Sequence, residues 1–138
     1  MPEPDYSDVL MDHFRNPRNA GSLRCANGRG TASAGNCGDV ICIWIRVEDH
    51  RVSEVSFKCK GCAAAIACGS ITTELAKGRH LDDVAMIAGE TIVQALGNLP
   101  ADKRHCADLA AEALAGAVMD YVTRSVDRDL PGRARSAD

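Results

Sequence analysis

The sequence lacks the features that are typical of secreted, membrane-spanning and nucleic-acid-binding proteins. It has no run of 18 apolar residues, and the acidic, proline-containing segment 1–5 has neither the apolar core of a signal peptide nor an arginine-rich presequence pattern. The 16 basic residues are scattered and the formal net charge is -3, so no continuous basic face is expected. We therefore expect a cytoplasmic protein that binds neither membrane nor nucleic acid.

Motifs of common enzyme classes are also missing. The sequence has no glycine-rich phosphate loop and no serine nucleophile motif, and its acidic residues show no pairing that indicates general acid-base catalysis. Cysteine, by contrast, is abundant, with seven in 138 residues. An odd number of cysteines without a secretory signal argues against a disulfide framework and favours reduced thiols that act as metal ligands or reactive groups.

The first half of the chain is predicted to contain one helix and a small sheet. Helical spacing of apolar residues indicates a short amphipathic helix over residues 5–15, with Asp5 as the expected N-cap. Residues 21–38 are typical of a loop or irregular edge strand. Alternating apolar residues then predict two antiparallel strands, over residues 40–47 and 54–59, joined around residues 48–51.

The second half is predicted to be helical. Helices are expected over residues 63–77, 81–88 and 91–96, and the longest helix follows His105 and extends to about Val126. Strands followed by a run of helices predict an α+β fold, with an antiparallel sheet of about three strands packed against several helices. At this length we expect one domain over residues 1–126 and a mobile tail over residues 127–138.

Three cysteines occupy positions that suit metal ligands. Cys37 lies in a glycine-bracketed turn that also contains Asp39, a source of an oxygen ligand. Cys62 and Cys106 stand at predicted helix starts, where unpaired N–H groups and the helix dipole are expected to lower the pKa of a thiol. His105 precedes Cys106 and adds a nitrogen ligand. Three thiolates with one oxygen or nitrogen ligand suit tetrahedral zinc or an iron-sulfur cluster, although gaps this long do not by themselves predict convergence.

The other thiols are predicted to have different surroundings. Cys42 and Cys68 fall inside elements and are expected to be small buried side chains, and Cys25 is a loop thiol. Cys59 forms a C-x-x-C motif with Cys62, but the surrounding order of elements is not that of thioredoxin, so a core thiol at a strand end is preferred to redox exchange. Among the histidines, we expect His13 to be packed and hydrogen-bonded, and the two in turns, His50 and His80, to be solvated.

Several segments in combination resemble a known family. They are Tyr6-Ser7, Asp12-His13-Phe14, Asn16-Pro17-Arg18-Asn19, Cys37-Gly38-Asp39-Val40, residues 61–67, Thr73-Glu74, Lys77-Gly78 and His105-Cys106. This combination resembles the IscU family of iron-sulfur cluster assembly scaffolds, which includes the N-terminal domain of NifU. The resemblance extends from Tyr6 to about Tyr121 and implies that Cys37, Cys62 and Cys106 converge.

The resemblance implies a scaffold or carrier rather than an enzyme. A cysteine desulfurase would deliver persulfide sulfur to a scaffold thiol, with Cys37, Cys62 and Cys106 as candidate acceptors. Iron would then join, and a transient 2Fe-2S cluster would be built and transferred to recipient apo-proteins. Asp39 and His105 would be alternative ligands. Zinc is a further candidate in the purified protein, because the same ligands suit it.

Two departures from the family pattern affect which properties of the family are expected of this chain. Members that use a dedicated Hsp70-type chaperone have Leu-Pro-Pro-Val-Lys before the His-Cys pair, and this chain has Leu-Pro-Ala-Asp-Lys at residues 99–103, which argues against that partner. Cys42, Cys59 and Cys68 replace residues that are usually not cysteine in these relatives. Cys59 is therefore a candidate extra ligand or sulfur relay, which a Cys59→Ser variant would test through cluster yield.

Three alternatives to the scaffold remain open at the level of sequence. The first is a SufU-like zinc-dependent sulfurtransferase, although SufU-like proteins carry an insertion before the last ligand cysteine and lack the preceding histidine, which is His105 here. The second is an electron carrier with a permanent cluster, which would favour four fixed thiolates. The third is a structural zinc site.

Overall fold

The computed structural model describes residues 6–35 and 38–129 of the chain. The elements are α1 (Asp8–Arg15), β1 (Gly28–Ser33), β2 (Val40–Glu48), β3 (Arg51–Lys60), α2 (Ala63–Ala76), α3 (Leu81–Val84), α4 (Gly89–Leu96) and α5 (Arg104–Asp129). A short 3-10 helix, Ala101–Lys103, precedes α5. The predicted α+β fold with a small antiparallel sheet is confirmed.

The three strands form an antiparallel sheet in the order β1-β2-β3. Glu48 pairs with Arg51, so the turn between β2 and β3 has two central residues, Asp49 and His50. Both have positive φ, 52° and 65°, as a type I′ turn requires. The twist of such a turn matches that of the flanking strands and sets the register in which Ile41 faces Cys59.

The helices cover one face of this sheet. α5 packs against β1 and β2, α2 packs against β3, and α1 and α4 pack against α2 and α5 respectively. Ile41, Ile43 and Ile45 are fully buried on the covered face, whereas Trp44 and Arg46 alternate with them on the other face. This single-sided core explains the alternating pattern of β2.

Glycines in β1 allow α5 to approach the sheet closely. A methyl group at Gly30 would overlap the carbonyl oxygen of Ala113 and the backbone nitrogen of Ala117. The side chains of β1 that face α5 are therefore absent or small. This approach holds α5 on the sheet, and the first turn of α5 carries His105 and Cys106.

Several element boundaries differ from prediction, and β3 begins at Arg51 rather than at residue 54. α1 begins at Asp8 with Ser7 as its N-cap, because the Ser7 hydroxyl accepts a hydrogen bond of 3.0 Å from the Leu10 amide. The predicted N-cap, Asp5, lies outside the described residues. α3 ends at Val84, short of the predicted residue 88, and α5 continues to Asp129.

Most of the predicted tail, residues 130–138, also lies outside the described part of the chain. Within residues 6–35 and 38–129, none of the helices combines the length and apolarity that crossing a bilayer requires.

Candidate metal centre

A carboxylate and two thiols from three separate elements meet at one end of the sheet. Their ligand atoms, one each from Asp39, Cys62 and Cys106, all lie within 4.8 Å of one another. The Cys62 and Cys106 sulfur atoms are 4.0 Å apart, and they lie 3.8 and 3.9 Å from the same Asp39 oxygen, Oδ2. Asp39 is 6% exposed, Cys106 is fully buried and Cys62 is half-buried, so only the Cys62 side of the group is open to water.

Local backbone structure explains how Asp39 reaches this position. Asp39 immediately precedes β2, and its carbonyl oxygen accepts a hydrogen bond of 2.9 Å from the Ala34 amide just after β1. The Gly38 amide donates in turn to the Ala34 carbonyl oxygen over 3.0 Å. These two bonds close the connection between β1 and β2 and direct Asp39 towards the end of β3.

Cys62 is placed by the junction of β3 and α2. It is the N-cap of α2, with extended backbone angles of φ -76° and ψ 173°. Its carbonyl oxygen accepts the first helical hydrogen bond, 3.1 Å from the Ile66 amide. Gly61 lies against the carboxylate, because a methyl group there would lie 2.7 Å from Asp39 Oδ1. The glycine before Cys62 therefore gives Asp39 room beside the thiol.

Two predicted site residues are not members of this described group of three. The imidazole Nε2 of His105 lies 3.7 Å from the Cys106 sulfur, so His105 borders the centre. Cys37 lies outside the described residues. The structure thus brings together Asp39, Cys62 and Cys106 and places His105 beside them.

The expected lowering of the Cys106 thiol pKa is wrong. Cys106 is in the first turn of α5, but burial, followed by the negative charge of Cys62, raises its pKa above the ordinary value for cysteine. Loss of hydration outweighs the helix dipole because Cys106 is fully buried. The thiol is consequently kept protonated until a cation or a reaction partner stabilises the thiolate.

Lys103 is a neighbour that sequence reasoning did not identify as part of the site. The charge on Cys62 is the main cause that raises the pKa of Lys103, and the charges of Tyr6, Cys106 and Asp102 act in the same direction. The ammonium group therefore contributes positive charge beside the acidic centre. Its position two residues before His105 was the only available signal, and a lysine near a helix start is more often simply exposed.

Two further thiols lie near the centre, and two do not border it. Burial, followed by the charges of Asp39 and Cys62, raises the pKa of Cys59 to about 12. Burial, followed by the charges of Cys62 and Cys59, also raises the pKa of Cys68 to about 12. Cys68 is in the core as predicted, and Cys59 is half-buried at the end of β3. Cys42 is buried on the opposite sheet face, and Cys25 is exposed.

The remaining histidines are distributed mostly as predicted. His13 is buried, and its Nδ1 lies 2.7 Å from the Ser70 hydroxyl. His50 is exposed in its turn. His80 is less solvated than predicted, because its Nδ1 accepts a hydrogen bond of 3.1 Å from the Asp82 amide at the start of α3 and its ring stacks on His50. These contacts give each described histidine other than His105 a structural role or an exposed position.

The donor set fits a thiophilic metal. Soft sulfur ligands favour zinc, copper(I) and iron-sulfur clusters, whereas a site for magnesium or calcium is built from oxygen atoms. Sulfur atoms 4.0 Å apart and a carboxylate at a similar distance can reach one tetrahedral ion with small side-chain movements. The centre can therefore hold zinc or iron with the residues that are described.

Comparison with known proteins gives a family for this arrangement. The profile of the NifU-like N terminal domain matches residues 5–128. The iron-sulfur cluster assembly scaffold protein IscU 1 of Archaeoglobus fulgidus is 45% identical over 120 residues, which cover 87% of this chain and 78% of that protein. The IscU scaffold protein of Haemophilus influenzae is 42% identical over 120 residues, covering 84% and 94%.

A solved structure has the same fold. The N-terminal part of a NifU-like protein from Brucella abortus superposes with a TM-score of 0.68 and covers 86% of this chain and 94% of that one. Its sequence identity is 18%, so the likeness concerns the fold alone.

Proposed function

Because this chain belongs to the NifU-like N-terminal domain family, whose members include the IscU proteins, we propose that it is a scaffold for iron-sulfur cluster assembly. It binds iron and sulfur while a cluster is built and then releases the cluster to other proteins. The cluster is the cargo of the scaffold, and the chain itself acts as a carrier rather than as an enzyme.

The observation that carries this function is the buried group of Asp39, Cys62 and Cys106. As ligands, one carboxylate and two thiolates would carry three negative charges within 4.8 Å. Such a group is costly in a buried site unless a cation neutralises it. Its sulfur content selects iron or zinc rather than a hard cation, and its open coordination positions suit an incoming cluster.

We assign the ligand roles as follows. Cys62 and Cys106 supply two thiolates and Asp39 an oxygen. Cys37 supplies the third thiolate, since only Gly38 separates it from Asp39 in the sequence. His105 is an alternative ligand, 3.7 Å from the Cys106 sulfur. Cys37, Cys62 and Cys106 are also the candidate acceptors of persulfide sulfur.

The same geometry supports release of the cluster. Asp39 is the ligand whose bond to iron is least covalent, because carboxylate oxygen is a harder donor than thiolate. His105 and Lys103 are only partly buried and border the centre, so the thiols of a recipient protein can approach from their side. The lysine ammonium also lowers the electrostatic cost of bringing a further thiolate to the site.

Scaffolding requires sulfur donors and cluster recipients. We propose that the donor is a cysteine desulfurase, that the cargo is a 2Fe-2S cluster, and that apo-proteins of the cytoplasm receive it. Zinc is expected in protein purified without iron, because the ligands suit both metals. The altered sequence at residues 99–103 still argues against a dedicated Hsp70-type chaperone.

Anaerobic reconstitution tests the function directly. The protein is mixed with iron(II), a cysteine desulfurase and cysteine, and the visible spectrum is recorded before an apo-ferredoxin is added. We expect cluster absorption that moves to the ferredoxin. Cys62→Ser should abolish it, whereas the matched variant Cys25→Ser, which removes an exposed thiol away from the centre, should behave like the wild type.

A SufU-like zinc-dependent sulfurtransferase is the alternative that this experiment separates. Such a protein would accept persulfide, show no cluster absorption, and pass sulfur on in the presence of zinc. Persulfide formation without any cluster would contradict the scaffold function. A cluster that forms but never reaches the ferredoxin would instead indicate an electron carrier.

A further inference from the structure

Cys59 is a thiol that lies next to the proposed assembly site and has no role in it. It pairs with Ile41 in the sheet, and its side chain therefore belongs to the face that the helices cover. Asp39 precedes Ile41 by two residues and Gly61 follows Cys59 by two, so Asp39 and Cys59 are diagonal neighbours on that face. The close fit of Gly61 against the Asp39 carboxylate shows that this end of β3 borders the centre.

Cys59 is also a neighbour of Cys62. Only Lys60 and Gly61 separate the two, and the chain bends at Gly61 as it leaves β3 for α2. The side chain one helical turn beyond Cys62, that of Ile66, lines the same cavity as Cys59. Cys62 therefore has Cys106 as one thiol neighbour, with the sulfur atoms 4.0 Å apart, and Cys59, three residues before it in the chain, as a second.

The cavity beside Cys59 connects it to solvent. This open depression has a volume of about 470 Å³ and is lined by Pro17, Ala20, Gly21, Phe57, Lys58, Cys59 and Ile66. Cys59 is half-buried at its edge. A small thiol compound can thus reach Cys59 from the cavity without passing through the metal centre.

We propose that Cys59 is the resolving thiol for a persulfide carried by Cys62. In this step the proton of the Cys59 thiol passes to the outer sulfur of the Cys62 persulfide, and the resulting Cys59 thiolate forms a bond to the inner sulfur. The bond between the inner and outer sulfur atoms breaks, and the outer sulfur leaves as hydrosulfide with the proton of the Cys59 thiol. The two cysteines lose two electrons and become a disulfide, and the departing sulfur gains those two electrons.

This step supplies sulfur in the oxidation state that a cluster contains. Persulfide sulfur must gain two electrons to become sulfide, and the Cys59 and Cys62 thiols provide them. Attack at the inner sulfur is favoured because hydrosulfide is a better leaving group than a cysteine thiolate. A small external dithiol that enters the cavity then reduces the disulfide and restores Cys62 as a ligand. The inference rests on the proposed function, because it assigns a role to persulfide on a scaffold thiol.

The test uses full-length, metal-free protein that has been reduced and freed of reductant under anaerobic conditions. Inorganic polysulfide loads the persulfide, and excess reagent is removed. Hydrosulfide release is measured by methylene blue formation, and peptide mass mapping locates disulfides and persulfides. The wild type should release up to one hydrosulfide per chain while a Cys59–Cys62 disulfide forms. Cys59→Ser should retain the Cys62 persulfide and release hydrosulfide at least ~10-fold more slowly, because the attacking thiol is missing.

Cys68→Ser is the matched control. It removes another thiol close to both Cys59 and Cys62, but one that is fully buried in α2, and its release should equal that of the wild type. Release from Cys59→Ser at the wild-type rate would overturn the proposal. So would a disulfide between Cys62 and Cys106, or transfer of the outer sulfur to Cys59 without hydrosulfide release.

A second assay separates this inference from the scaffold function. Iron(II) and inorganic sulfide are given directly, so no persulfide has to be reduced. Wild type and Cys59→Ser should then assemble the same amount of cluster, which also shows that the variant folds. If both assemble it but release hydrosulfide equally from persulfide, only the resolving role fails. If neither assembles a cluster, the scaffold function itself fails.

Discussion

At the scale of single residues, the metal centre depends on one buried carboxylate. A single oxygen of Asp39 lies within 3.9 Å of the sulfur atoms of both Cys62 and Cys106, and the side chain is 6% exposed. The carboxylate has two opposed effects. It would add a ligand whose bond to iron is weaker than that of a thiolate, and its charge is one of the smaller causes that raise the pKa of Cys106, after burial. We therefore expect the lability of a bound cluster to depend on this residue.

Asp39→Ala should prolong the lifetime of the assembled cluster. Removing the oxygen ligand leaves the thiolates with less competition for iron and slows release. Transfer of the cluster to an apo-ferredoxin, followed by visible circular dichroism, gives the rate. Glu54→Ala, which removes an exposed carboxylate of β3, is the control and should transfer at the wild-type rate. Equal or faster transfer by Asp39→Ala would contradict this account of lability.

His13 should make stability depend on pH in a way that does not involve the centre. Burial, followed by the charge of Arg18, lowers the pKa of His13, while Glu74 and Asp12 act in the opposite direction. The unfolded chain then binds a proton more readily than the folded chain does. The contribution of His13 to the free energy of unfolding is therefore fully present above about pH 6.5. It is lost as the pH falls from there towards the lowered pKa of the folded state.

Urea unfolding of the metal-free protein at about pH 7.5 and about pH 5.5 measures this effect. His13→Gln keeps a polar partner for the Ser70 hydroxyl but cannot titrate, so the loss of stability at the lower pH should shrink. His50→Gln changes an exposed histidine and should preserve the wild-type loss. A His13→Gln protein as sensitive to acid as the wild type would show that other groups cause the pH dependence.

At the scale of elements, the centre depends on how α5 and α2 are held against the sheet. Cys62 caps α2 and Cys106 lies in the first turn of α5, so a shift of either helix changes the distance between their sulfur atoms. α2 packs on β3, and α5 packs on β1 and β2. The close approach of α5 is possible because Gly30 has no side chain.

Gly30→Ala should therefore destabilise the protein. The added methyl group would overlap backbone atoms of α5, which cannot move aside as a flexible side chain can. Overpacking of this kind costs about 1–3 kcal/mol of unfolding free energy. Urea unfolding of the metal-free protein measures the change.

Gly35→Ala provides the matched comparison. A methyl group at Gly35 meets no atom of the described residues within 4 Å, and we expect a change of at most about 0.5 kcal/mol. Equal stability of the Gly30 and Gly35 variants would mean that α5 accommodates the methyl group, and that the glycine is not required for packing.

At the scale of the whole molecule, the centre links distant parts of the chain. Its described members come from the start of β2, the start of α2 and the start of α5, and all three positions adjoin the same end of the sheet. A metal ion bound there binds the folded state and cross-links three elements. Metal binding and folding should consequently be coupled.

Zinc should raise the thermal stability of the protein. At a free zinc concentration of about 100 times Kd, binding to the folded state adds about 2.7 kcal/mol to the free energy of unfolding. Calorimetry with and without a chelator measures the shift of the melting temperature. Cys62→Ser should lose most of the shift, and Cys25→Ser should retain it. A shift of the same size in both variants would place the zinc elsewhere.

Local patterns predicted most elements of the fold but not all of them. The alternation of isoleucines in β2 and the helical spacing in α2 and α5 depend on neighbouring residues, and both appear as predicted. β1 was predicted only as a loop or irregular strand. Its glycines oppose strand formation by propensity, and they are accounted for by the approach of α5, a contact that no local pattern contains.

The chemical character of the protein was readable from the sequence alone. Its cysteine content, its missing enzyme motifs and its resemblance to cluster scaffolds are statements about residue types and order, which folding does not change. Tertiary structure decided which of these residues meet. In the sequence, Asp39 and Cys62 are 23 residues apart, Cys62 and Cys106 are 44 apart, and Asp39 and Cys106 are 67 apart.

Only packing brings such positions together, and only burial determines how they titrate. That is why the pKa of Cys106 rises although the helix start predicted the opposite. Packing also decides that Cys59 borders the centre, whereas Cys42, which follows the same strand alternation, lies on the other face of the sheet.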